Sequence, residues 1–180
     1  MVIDHGNDNQ VTGNDVVDNN LGVIVVGDAN TVSRNRVADV PGQCEGCGFG
    51  ISFEGGRDNL IANNTVERAQ GEAAIRVAAF EPETPPAMHN TLRSNVVAGA
   101  SLDGISVDVT AAGTLLDGNL TFGAGDDGID VDSPTTTLRR NTANRNHDLG
   151  IEAVPGVTDG GGNMASGNGN PLQCTNIFCR

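Results

Sequence analysis

Asp103-Gly104-Ile105-Ser106-Val107-Asp108 is echoed by Asp127-Gly128-Ile129-Asp130-Val131-Asp132. In both segments two aliphatic residues flank a polar one, the alternation of a half-buried strand, and carboxylates occupy the polar positions. A glycine or alanine followed by the same alternation returns at Gly22-Val-Ile-Val25, Gly50-Ile-Ser-Phe53, Ala74-Ile-Arg-Val77 and Gly150-Ile-Glu-Ala153. The rest of the chain is organised around that recurrence.

Between these phrases lie paired Asn-x-aliphatic steps: Asn9 to Val11 with Asn14 to Val16, Asn30 to Val32 with Asn35 to Val37, Asn59 to Ile61 with Asn64 to Val66, and Asn90 to Leu92 with Asn95 to Val97. Degenerate copies follow at Gly113-Thr-Leu115 with Gly118-Asn-Leu120, and at Thr136-Thr-Leu138 with Asn141-Thr-Ala143. A weaker one starts at Asn163. Each repeat therefore reads as three short strands, and the unequal spacing is what loops inserted into a regular coil produce.

Three such strands cannot bury their aliphatics within one repeat, but stacked repeats can. Each strand then pairs in parallel with its equivalent about 4.8 Å away, with aliphatics in columns inside and polar residues outside. The pattern predicts an all-β solenoid of about six coils over residues 1–156 and a Gly/Asn-rich cap with a cysteine-containing tail over 157–180. Asparagine at the bends is expected to take left-handed backbone, with Gly118 replacing it in one coil. Met1 to His5 align with the central strand, so the pattern begins mid-coil and implies a preceding segment of the same protein as a partner.

Composition narrows the partners. The formal net charge is -13, lysine is absent and all ten fixed cations are arginines, which excludes nucleic acid or an anionic membrane surface as a natural partner. No apolar run reaches the roughly 20 residues of a membrane span. Gly and Asn supply 45 residues, a bias that means disorder only when it lacks a period. Trp and Tyr are absent, which argues against the aromatic platforms that stack sugar rings.

The Asn-x-Ile-x-x-Asn and Gly-Ile-x-Val signatures resemble the right-handed parallel β-helix repeat proteins of the pectin-lyase-like superfamily, including the NosD-related group. The resemblance covers nearly the whole chain and implies the fold; coils of this kind host unrelated functions. His5, His89 and His147 fall in separate repeats, so no multi-histidine copper site is expected.

Two insertions flank the central strands. Residues 38–49 carry Pro-Gly and Cys44-Glu-Gly-Cys47, and residues 78–89 carry Phe80-Glu-Pro-Glu-Thr-Pro-Pro. They leave the same sheet at opposite ends and could wall a groove, or be tolerated surface loops. Cys44 and Cys47 lie several coils from Cys174 and Cys179, too far for a shared zinc site. The readings are two local disulfides, which imply an extracellular or periplasmic protein, or free thiols.

Stacking makes neighbours of residues distant in sequence. One outward column reads Ile24, Ser52, Arg76, Ser106, Asp130, Glu152; the next reads Val26, Glu54, Ala78, Asp108, Asp132, Val154. Arg76, Ser106, Asp130 and Glu152 are candidate substrate contacts on a polysaccharide, and Asp108, Asp130 and Asp132 candidate Ca²⁺ ligands. A solvated acidic face is the alternative. Ser101-Leu-Asp103, Gly125-Asp-Asp127 and Asn146-His147-Asp148 are similar to the successive motifs of family 28 glycoside hydrolases. That resemblance would make Asp127 a general acid, Asp103 with Asp126 the activators of water, and His147 a further catalytic residue. The first motif lacks its Asn, His147 is two residues off register and the family's Arg-Ile-Lys is missing. Two function classes follow: a non-catalytic carbohydrate-interacting or surface module of an exported protein, and a lyase, epimerase or hydrolase acting on an acidic polysaccharide.

Overall fold

The computed structural model describes every residue except 1, 4, 45 and 81–83, together with the side chain of every described residue but Ile3. Parts of the first strand, of the Cys44 to Cys47 motif and of the Phe80 to Pro86 insertion therefore lie outside the described residues.

Among the described residues, three seven-stranded parallel sheets run along the molecule. The first holds Val2–Ile3, Val23–Val25, Ile51–Glu54, Ala73–Ala78, Asp103–Val107, Ile129–Val131 and Ile151–Ala153. The second runs from Gln10–Thr12 to Thr158–Asp159 and the third from Asp15–Val17 to Met164–Ser166, one strand per coil. Gly56–Arg57, Ala87–Met88 and Ala111–Ala112 add a short fourth sheet. The architecture is a parallel β-helix, with seven coils where the sequence predicts about six. The seventh was hard to read because Thr158–Asp159 and Met164–Ser166 carry few of the signature residues. Coils thus continue past residue 156 to Ser166, and the tail closes the end: Gln173 O accepts the N–H groups of Gly150 and Ile151, and Cys174 and Cys179 bridge to Ile151 and Asn163.

The core is a set of one-residue columns. Val23, Ile51, Ile75, Ile105, Ile129 and Ile151 stack in register, and all are fully buried. Truncating a buried isoleucine of this kind costs about 2–5 kcal/mol.

The asparagines have a different role from the expected one. Asn14, Asn35, Asn64, Asn95, Asn119, Asn141 and Asn163 form a continuous ladder, in which each side-chain oxygen accepts the backbone N–H of the asparagine one coil earlier. From Asn35 to Asn163 each side-chain NH₂ donates to a carbonyl of an earlier coil, as Asn95 does to Ile61 O at 3.0 Å. The left-handed residues are those just before the ladder: Gly13, Arg34, Asn63, Ser94, Gly118, Arg140 and Gly162. Gly118 therefore supplies the bend, and Asn119 the ladder. A second ladder runs Asn9, Asn30, Asn59, Asn90. Strand register then puts Thr114, not Gly113, and next Thr136, in line with Asn90. Asn163 belongs to the longer ladder and does not start a repeat.

Candidate functional site

Strand pairing fixes both outward columns in the expected order. Ile24, Ser52, Arg76, Ser106, Asp130 and Glu152 are consecutive Cα partners. Ala78 pairs with Glu54, while Asp108, Asp132 and Val154 each donate their N–H to the strand one coil earlier. These columns separate into two different surfaces.

The first is a groove of about 510 Å³, lined among others by Cys47, Phe49, Glu54, Glu72, Arg76 and Phe80. Both insertions wall it, as the loop positions suggested. The earlier one is pinned at Gly48, whose N–H donates to Asn20 O and whose carbonyl accepts from Gly71 N. Gly48 has φ +94, and a Cβ there would collide with the Gly71 backbone, so only glycine allows this approach. The pinning sets Phe49 beside the strand bearing Arg76.

The Arg76 guanidinium lies over two rings, 5.3 Å from the Phe49 centroid and 4.9 Å from that of Phe80. Its side chain is only 15% exposed. Nearby carboxylates stand off at 3.7 Å, Glu72 from Nη1 and Asp108 from Nη2. Those separations exceed hydrogen-bond distance, so among the described residues the planar N–H edge has no hydrogen-bond acceptor, and it borders the groove. Ser52 Oγ donates to Glu54 Oε1 at 3.2 Å, which fixes one carboxylate at the groove wall.

The second surface is a carboxylate stack one to three coils further on. Asp103 Oδ1 accepts the N–H of Asp127 at 3.1 Å, and Asp127 Oδ1 accepts that of Leu149 at 2.7 Å, so each side chain ties its coil to the next. Asp127 is 4% exposed. Burial, a hydrogen bond with Glu152 and the charges of Glu152 and Asp126 hold its proton well above the usual carboxylate range. Burial raises Asp103 to about 6 against the opposing Asp127 N–H, with Asp126, Glu152 and Asp132 adding to the rise. Asp130 rises to about 7 through burial and the charges of Asp132, Asp103, Glu152 and Asp126.

Comparison with known proteins agrees with this architecture. The right-handed β-helix region family matches residues 1–143. The chain belongs to that family. Among curated proteins no sequence matches. Of solved structures, a double mutant of the periplasmic alginate epimerase AlgG is similar over 99% of this β-helix and 44% of its own chain, with TM-score 0.65 and 18% identity. A single mutant of the same enzyme is similar over 94% and 49%, with TM-score 0.50 and 18% identity. This β-helix spans less than half the length of those proteins, and the likeness is one of fold.

Within the β-helix the expected site residues divide. Arg76 sits in the groove; Ser106 separates it from Asp130 and Glu152, which belong to the carboxylate stack. Asp108, Asp130 and Asp132 do not form a ligand trio. Asp108 Oδ1 is occupied by the Thr110 N–H and hydroxyl, and its other oxygen faces Arg76. Among the described residues the groups with oxygens within 4.8 Å are Asp127, Asp130 and Glu152, and Asp126, Asp127 and Asp148. Either could offer three oxygens to a divalent cation. Asp103 and Asp127 adjoin, with Asp126 at the exposed edge, whereas His147 is exposed and stacks over Gly125, two residues before the Asp127 equivalent, Leu149. Cys44 bonds Cys47, and Cys174 bonds Cys179. Sequence reasoning missed Phe49 and Phe80. The available signal was that each insertion places one phenylalanine beside the coil that carries the only arginine of the column.

Proposed function

We propose that this β-helix is a carbohydrate-interacting domain of an exported protein, located outside the cell or in the periplasm, that holds an acidic polysaccharide in the groove over its first sheet. The observation that carries the reading is Arg76, a guanidinium set over two rings whose N–H edge, with Glu72 and Asp108 standing off at 3.7 Å, has no hydrogen-bond acceptor among the described residues and borders a walled groove. Such an edge matches a planar carboxylate bidentately. Glu54 and Glu72 can accept hydrogen bonds from sugar hydroxyls, and the exposed Phe80 and Leu102 offer apolar surface to a ring face. Two local disulfides support the exported location.

The similarity to an alginate epimerase makes alginate oligomers one probe, beside oligogalacturonates and neutral glycans. Titration calorimetry is expected to show binding of the acidic oligomers and none of the neutral ones, with Arg76→Ala weakening it. Silence on all of them, with or without Ca²⁺, would sink the proposal.

A catalytic reading has one feature in its favour: proton-holding carboxyls on two successive coils, Asp103 on one and Asp127 with Asp130 on the next. Against it, one oxygen each of Asp103 and Asp127 is engaged by backbone N–H, and Asp127 is nearly inaccessible. New reducing ends or unsaturated products from an acidic polysaccharide, lost in Asp127→Asn, would replace the binding role with an enzymatic one.

A further inference from the structure

We propose that Thr110 is the positioning residue of the groove, tying the loop that carries Phe80 to the carboxylate that faces Arg76. The inference rests on the binding role proposed above. Ala79 N–H donates to Thr110 Oγ1 at 2.8 Å. The Thr110 hydroxyl in turn donates to Asp108 Oδ1 at 2.6 Å, and its own N–H reaches the same oxygen at 2.8 Å. The polarity of this relay is fixed, because an amide N–H only donates and an ionised carboxylate only accepts.

Both ends of the relay meet at Arg76. Ala79 immediately precedes Phe80, whose ring covers one face of the guanidinium, and Asp108 Oδ2 lies 3.7 Å from Nη2. Phe80 is itself held by Thr84, its N–H donating to Thr84 Oγ1 at 2.7 Å and its carbonyl accepting from Thr84 N at 3.1 Å. With no side-chain hydrogen bond to a described residue, the Arg76 guanidinium takes its orientation from the rings and the standing-off charges. One hydroxyl outside the groove thus holds two of the parts that aim it.

The test compares Thr110→Val, which keeps the shape and loses the hydroxyl, with Thr110→Ser, which keeps the hydroxyl, in the full chain. Probes are an oligogalacturonate and its methyl ester. Thr110→Val is expected to bind the acid about three- to tenfold more weakly, the loss of one or two hydrogen bonds. The neutral ester should bind neither the wild type nor the variant, and Thr110→Ser should restore the acid. Ala79 amide exchange should quicken in Thr110→Val, and the Arg76 Nε–H resonance should move without ligand. Unchanged affinity for the acid, or weakening with a fall in melting temperature and the Ala79 and Arg76 signals unmoved, would overturn the proposal. If the wild type binds neither oligomer, the binding role fails separately. The ligand-free Ala79 and Arg76 signals then decide for positioning if they change in Thr110→Val and against it if they do not.

Discussion

The coils around Arg76 and those around Asp127 use the same sheet, the same register and the same glycine- or alanine-led alternation, yet they make opposite surfaces. In the first, two inserted loops bring phenylalanines against a cation whose N–H edge has no hydrogen-bond acceptor among the described residues. In the second, the bends are short, the side chains are carboxylates, and Asp103 and Asp127 each turn an oxygen to an amide of the next coil. The lesson is that polar residues in a solenoid column are not a site until something frees their hydrogen-bonding groups. Loops do so for Arg76; nothing does so for Asp127.

The largest effect expected is from Arg76→Ala, which should weaken acidic-oligomer binding by about 10- to 100-fold, the range of a charge-assisted hydrogen-bond pair. Asp127→Asn should leave that affinity unchanged. Calorimetry on both variants checks the division directly.

Asp127→Asn should instead act on stability. Asp103, Asp130 and Asp127 hold protons in the folded state at pH values where the unfolded chain has released them near pH 4. Stability is therefore fully present below about pH 4 and is lost as pH rises through 6 and 7. Asp39 and Asp159, lowered by Arg68 and by the Phe178 and Gly161 N–H groups respectively, act oppositely and only at lower pH. Thermal melts should show a fall of roughly 5 °C between pH 5 and 8, smaller in Asp127→Asn. A flat wild-type profile would contradict the protonated stack.

Much of this division was legible in the sequence. Ile24 to Glu152 could be ordered into a column because the Gly-Ile-x-Val phrase fixes register, and both insertions could be placed on one sheet. Three things could not be read. A buried hydrogen-bonding asparagine and a left-handed one have the same letter, so spacing alone assigns the ladder to the bend; Gly118 does take the left-handed bend, one residue before the ladder position that Asn119 fills. Thr114 replaces an asparagine without announcing it, which shifted one repeat by a residue. The direction of a carboxylate, outward as an Asp108, Asp130 and Asp132 trio or inward to an amide, depends on bend geometry that spacing alone does not carry.

Smaller effects refine the groove. Phe80→Ala should lower affinity about two- to fivefold by removing one ring from the guanidinium. Raising ionic strength from 10 to 150 mM, in contrast to its effect on basic lectin-like sites, should strengthen acidic-oligomer binding about two- to threefold. Salt screens the long-range repulsion of a chain with net charge -13 more than it screens contact at Arg76. Weakening with salt would show that attraction from elsewhere dominates.

The most direct measurement is a nuclear magnetic resonance titration of the intact chain with oligogalacturonate, following the Arg76 Nε–H and the Leu149 amide that Asp127 holds. The account predicts a saturable shift at Arg76 and none at Leu149. A saturable shift at Leu149 with Arg76 unmoved would place the ligand on the carboxylate stack and contradict it.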